Sequence, residues 1–232
     1  MTAHGLGPNV RAMSEGRFIT FEGGDGVGKT TQIARLADRL DAAGQGYLIT
    51  REPGGTPFAE RLRELILARE TPEHSALSEA LLFLSARHDH VERTIRPALE
   101  QGDWVLCDRF ADSTRAYQGA AGGVDLETLK ALEEIVHPRC RPDLTIILDL
   151  DPLSGVARRA RRRDEAGGDL TQADRYEVRD QAFQERLRQA FLSISADEPE
   201  RCRVVDAGQG LSLIHISEPT RQDTRSRMPS SA

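Results

Sequence analysis

Eight consecutive residues carry the plainest chemistry in this sequence. Gly23-Gly24-Asp25-Gly26-Val27-Gly28-Lys29-Thr30 spells GxxxxGK[ST]. Glycines at this density let several backbone N–H groups converge on one anion, and a helix opening directly behind them adds its positive dipole end. In that setting Lys29 reaches the outer phosphates of a nucleoside triphosphate while the Thr30 hydroxyl ligates Mg²⁺. Residues Gly23 to Thr31, with Thr31 in the helix's first turn, are therefore the expected ATP or GTP site. A chance glycine-rich turn would not need FITFE before it and a helical pattern after it.

Two more clusters suit the same chemistry. Asp108 closes the apolar run WVLC, where a carboxylate beside the phosphate loop can coordinate Mg²⁺; such a residue can equally be a strand cap. Arg109 follows it, a fixed cation that a simple hydrolase does not evidently need. Further on, Arg158, Arg159, Arg161, Arg162 and Arg163 precede DEAGGDLTQADRYE. That is either a solvated basic face or weak RNA contact, or a lid, at about 158–175, that closes over the triphosphate and brings arginines to the transferring group. Arg159 and Arg163 are equally arguable as the acting residue. None of the six histidines is placed as a general base.

These residues need a frame that gathers strand ends. Short apolar runs near Phe18–Phe21, Tyr47–Thr50, Trp104–Cys107, Leu144–Leu150 and Arg203–Val205 predict strands. Three-and-four apolar spacing predicts helices near Lys29–Ala43, Phe58–Arg69, Ala76–Gln101, Leu126–Val136, Pro152–Asp164 and Asp174–Ile194. The alternation is that of an α/β fold with a parallel sheet, whose ligands bind at the carboxyl ends of the strands.

TREPGGT at Thr50–Thr56, DRF at Asp108–Phe110 and STRAYQG at Ser113–Gly119 resemble, in order and spacing, the thymidylate kinases. The resemblance covers roughly Arg17–Asp206. It implies a P-loop NTPase fold with a five-stranded parallel sheet, Mg²⁺-ATP as phosphate donor, dTMP as acceptor and a homodimer. It also implies that Asp25 accepts from the sugar 3′-OH and that Arg51 and Arg109 hold the dTMP phosphate. Phe83 would stack on thymine and Arg87, four residues on, would donate to its O4. By the helical pattern alone, Phe83 could as well be core. Tyr117 and Gln118 would close over sugar and base, and Ser113 would supply a small polar contact. Some members of the family keep a basic residue in the phosphate loop and others keep it in the lid. Gly26 here points to the lid, and DRYE, Asp174–Glu177, resembles the lid-closing segment that brings Arg175 into consideration.

The totals fit one kinase domain. The 232 residues are 38% hydrophobic with a net charge of −6, which suggests neither a nucleic-acid nor a membrane partner. Cys107, Cys140 and Cys202 stand far apart and suit a reducing cytoplasm. Residues 1–16 are expected to be a disordered extension preceding the kinase domain at 17–206. LSLIHISEPTR at Leu211–Arg221 and SRMPSSA at Ser226–Ala232 resemble a translated sequencing adapter, so 211–232 reads as a non-native tail; the alternative is a natural polar one. Such a tail stands where the family carries a further helix, and lower stability is expected from that replacement. Two rival functions share parts of the pattern: a kinase for another small acceptor, and a slow nucleotide-dependent switch.

Overall fold

The structure, a computed structural model, describes residues 15–138, 140–165, 176 and 179–208, the side chains of 162–165 excepted. Most of the expected extension, the tail at 211–232, Arg175 and the side chain of Arg163 lie outside these residues.

The five apolar runs form β1 (Phe18–Glu22), β2 (Tyr47–Arg51), β3 (Trp104–Asp108), β4 (Leu144–Asp149) and β5 (Cys202–Asp206). They pair in parallel, as expected of the α/β fold, and the structure adds their order, β2-β3-β1-β4-β5. Period-two alternation sorts their side chains. Ile19 and Phe21 pack with Ile33, Ala37 and Leu40 of α1 (Lys29–Ala42), while Phe18 turns to the other face with Val91, Ile95 and Phe110. The register sets Arg51 and Phe21 beside Asp108, so β1, β2 and β3 deliver their polar ends to one edge.

The helices cover both faces. Thr56 caps α2 (Pro57–Leu67) and Asp125 caps α6 (Leu126–Val136), each accepting a backbone N–H three residues on. The expected helix Ala76–Gln101 proves to be three pieces: α3 (Ala76–His90), a π-helical turn at Val91–Ile95, and α4 (Arg96–Glu100). Pro97 supplies the reason, because mid-helix proline lacks the N–H and crowds the carbonyl four residues back. A wider turn, with the Arg96 N–H reaching Val91 O, relieves that crowding.

A helix that large apolar residues do not announce follows β3: α5 (Ala111–Thr114) runs into a π turn at Arg115–Ala120. Its buried positions include Ala111, Ala116 and Gly119, too small to print a strong pattern. The basic cluster begins in α7 (Pro152–Glu165). The last expected helix, Asp174–Ile194, starts later, as α8 (Gln181–Asp197), where Asp180 accepts the Phe183 N–H. Among the described residues no helix is long and apolar enough to cross a membrane.

Candidate active site

A cleft of about 520 Å³ opens at the carboxyl ends of β1, β2 and β3. The phosphate loop forms one end. Gly23, Gly26 and Gly28 take φ of 121°, 81° and 103°, values that side chains other than glycine rarely adopt. Lys29 begins α1 with its amine folded back to Gly24 O at 2.9 Å and 4.0 Å from Asp108 Oδ1. Burial, and then the Arg109 cation, push its pKa down to about 8. Asp108 Oδ1 is buried without a hydrogen-bond partner, and Thr30 lines the same cleft, exposed. A hard oxygen without a hydrogen-bond partner, on a cleft that a hydroxyl also lines, suits Mg²⁺.

Arg109 occupies the middle. Its φ of 72° is the one positive value at a described non-glycine residue, and it turns the side chain back toward the loop. Nη2 donates to Asp25 Oδ1 at 2.6 Å, and Nη1 donates to Gly23 O and Ser113 Oγ. Burial alone would lower the Arg109 guanidinium, but Tyr117, Asp25, Asp108 and Glu22 outweigh it and the group stays charged. Burial likewise opposes ionisation of Asp25, yet Arg109, Lys29 and Arg159 hold its pKa below the usual carboxylate value.

Of the two lid candidates, Arg159 is the one whose side chain is described. It stands 3.6 Å from Asp25 Oδ2, with a buried Nη1 that lacks a hydrogen-bond partner. Gly26 makes this approach possible, because a Cβ there would meet Gly155 O of α7 at 2.5 Å. Arg51 sits on the rim, exposed and 3.1 Å from Glu60.

Aromatic and amide side chains form the far end. Phe83 is half-buried and lines the cleft wall. Arg87, one turn on, is 1% exposed; Nε donates to Glu52 at 2.6 Å, Nη2 to Thr114 at 2.9 Å, and Nη1 has no partner. Gln118 donates to Glu79 Oε2 at 2.9 Å, and Tyr117 lies under the Arg109 guanidinium at 5.2 Å. Ser113 belongs with the arginine end, since its hydroxyl donates to Glu22 Oε2 at 2.6 Å.

Four participants escaped the sequence reading. Tyr176 packs edge-on against Tyr117, lies within 3.4 Å of Gln118 and lines the cleft; its signal in the sequence is DRYE, where it stands next to Arg175. Glu52 was inside TREPGG but unassigned. Glu79 announces itself only through its partner. Glu22 accepts both the Phe110 N–H and the Ser113 hydroxyl, so it braces the turn that holds Arg109. Its pKa is pushed up to about 7 by burial and then by Asp112.

A family model for thymidylate kinase matches residues 21–217. The thymidylate kinase of Nitrobacter hamburgensis is 51% identical over 199 residues, 86% of this chain and 84% of that protein. That of Caulobacter vibrioides is 51% identical over 202 residues, covering 87% and 93%. Among solved structures, a crystal structure of thymidylate kinase from Ehrlichia chaffeensis superposes with a TM-score of 0.65 at 35% identity, over 82% of this chain and 92% of that one. With a phosphate loop, a bridging arginine and an aromatic pocket in one cleft, and relatives of this similarity over most of its length, the chain belongs to the thymidylate kinase family.

Proposed function

We propose that the protein transfers the γ-phosphoryl group of ATP onto the phosphate of dTMP, directly and in line, as a step toward dTTP. The observation that carries this reading is Arg109, tied to Asp25 of the phosphate loop while its guanidinium also covers Tyr117 of the far end. One cation thus spans donor and acceptor halves, where charge passes between two phosphates. Lys29 and Arg159 flank the transferring group; Arg51 and Arg109 take the acceptor phosphate, a fork suited to two oxygens. Phe83 stacks the base, Arg87 donates to it, and Tyr117 with Gln118 and Tyr176 closes over the nucleoside. Asp25 takes the sugar hydroxyl. Asp108 and Thr30 would hold Mg²⁺, which when bound neutralises charge on the phosphate oxygens. The acceptor is already anionic, so no general base is needed.

The family resemblance also carries a cytosolic homodimer. Exposed Leu65 on α2 and Leu77 and Leu81 on α3, two helices packed together, support a covered apolar face. Coupled ADP release with Mg²⁺-ATP and dTMP, dUMP, dCMP, dGMP, UMP or no acceptor tests the activity. Strong preference for dTMP is expected; turnover indifferent to every monophosphate overturns it.

A further inference from the structure

Arg51 is the only residue of TREPGG that the proposed function uses, yet the rest of the motif interlocks behind the base pocket. Glu52 is 5% exposed; Oε2 accepts from Arg87 Nε at 2.6 Å and Oε1 accepts from His90 Nδ1 at 3.0 Å. A carboxylate only accepts, so Nδ1 carries the proton, and in the neutral ring Nε2 accepts from the Thr50 hydroxyl at 2.7 Å. The His90 ring is fully buried and lies where a Cβ on Gly55 would be, which accounts for that glycine. Thr50, Glu52 and Gly55 therefore form one fitted unit with His90, a single turn beyond Arg87 on α3.

The unit acts on Arg87. Nε is committed to Glu52, Nη2 to Thr114, and the guanidinium lies 5.0 Å over the Phe110 ring. Two hydrogen bonds in the plane and a ring beneath it leave the planar group no second orientation. Burial would raise the Glu52 carboxyl, but Arg87 and the bond from His90 outweigh it, so the anchor stays ionised. Nη1 is left over, buried and without a partner on a residue that lines the cleft. A charged donor in that state is costly until an acceptor oxygen meets it. Thymine offers an oxygen at ring position 4, whereas cytosine offers an amine, a second donor.

We propose that Glu52 and His90 are positioning residues that hold the Arg87 guanidinium rigidly enough to admit a base with a ring carbonyl and reject one with an exocyclic amine. This inference rests on the proposed function. If the frame loosens, the arginine can turn aside, so the cytosine base is no longer penalised and the thymine base is no longer rewarded.

The test compares kcat and KM for dTMP and dCMP in the full chain and in Glu52→Gln, His90→Ala and His90→Asn, with thermal melting alongside. Glu52→Gln and His90→Ala are expected to lower the dTMP-over-dCMP ratio of kcat/KM about tenfold. Most of that change should come through a higher KM for dTMP, with kcat held within about threefold. The asparagine amide of His90→Asn can still donate to Glu52, so that variant should keep the ratio within about threefold of the parent. If Glu52→Gln melts below the assay temperature, the two His90 variants, which strand no charge, decide on the same ratio. Folded variants that lose activity on both acceptors alike, or that keep the parent ratio, overturn the inference alone. A parent without dTMP-dependent ADP release overturns the proposed function, and this inference with it.

Discussion

The two ends of the cleft secure their polar groups in opposite ways. At the phosphate end, backbone conformation does the placing: left-handed glycines and the φ of 72° at Arg109 aim charged groups whose bonding capacity is left partly open. Asp108 Oδ1 and Arg159 Nη1 have no hydrogen-bond partner there. At the base end, side chains hold side chains: Glu79 accepts from Gln118, Glu52 and Thr114 accept from Arg87, and Tyr176 packs on Tyr117, while Arg87 Nη1 alone of that guanidinium is left without a partner. The first arrangement suits charge that moves during a reaction, and the second suits a shape that does not. Damage at the phosphate end should therefore appear in kcat, and damage at the base end in KM.

The largest effect that could break this division is expected from Lys29→Ala, which should lower dTMP-dependent kcat roughly 10³-fold. Circular dichroism should show the fold retained, and a modest KM effect in place of the kcat loss would remove the distinction. Arg109→Ala comes next, with kcat down about 10²-fold. Because Arg109 spans both halves, KM for dTMP should rise as well; a change confined to KM would move it to the base end. Phe83→Ala removes the stacking surface alone and should raise KM for dTMP about tenfold, with kcat little altered. Steady-state kinetics separate these three outcomes, and a large kcat loss at Phe83 would contradict the division directly.

The smallest effect concerns stability. Burial, and then the nearby Arg87 cation, push the His137 pKa from 6.5 to about 4. The unfolded chain takes up that proton first, so stability present above pH 6.5 is lost as pH falls toward 4. The loss is expected to be on the order of 1–3 kcal/mol. On acidification across that range the denaturant midpoint of the parent should fall relative to that of His137→Leu, and parallel curves would exclude the histidine. His137 packs on Phe110 beneath Arg87, so the loss would mark the base-end frame as the acid-sensitive one.

The same difference decides what the sequence discloses. The phosphate loop is eight adjacent residues whose glycines and lysine have one common use, and strand, loop and helix appear where that pattern requires them. The base-end frame is assembled from partners far apart in the chain, such as Glu52 with Arg87 and Glu79 with Gln118. No periodicity records such a pairing, because burial of a polar group depends on the partner that satisfies it. Glu52 and Glu79 on paper are ordinary surface residues. Spacing did put Phe83 and Arg87 on one face of α3 but could not say which of them the core would take. The α5 segment stayed hidden for a different reason: its buried alanines and glycine fill space without marking a face.

The contact between Gly26 and Gly155 has a bearing on how such loops diverge. At 26 the loop has room only for a hydrogen, since the α7 backbone fills the place a side chain would take, and the same approach sets Arg159 against Asp25. Reciprocally, a Cβ on Gly155 would meet Asp25 O at 2.9 Å. A cation carried in the loop and a cation carried by the helix are thus mutually exclusive solutions in this backbone. Gly26→Arg is therefore expected to be harmful here, because its side chain would displace the same α7 backbone that sets Arg159 against Asp25.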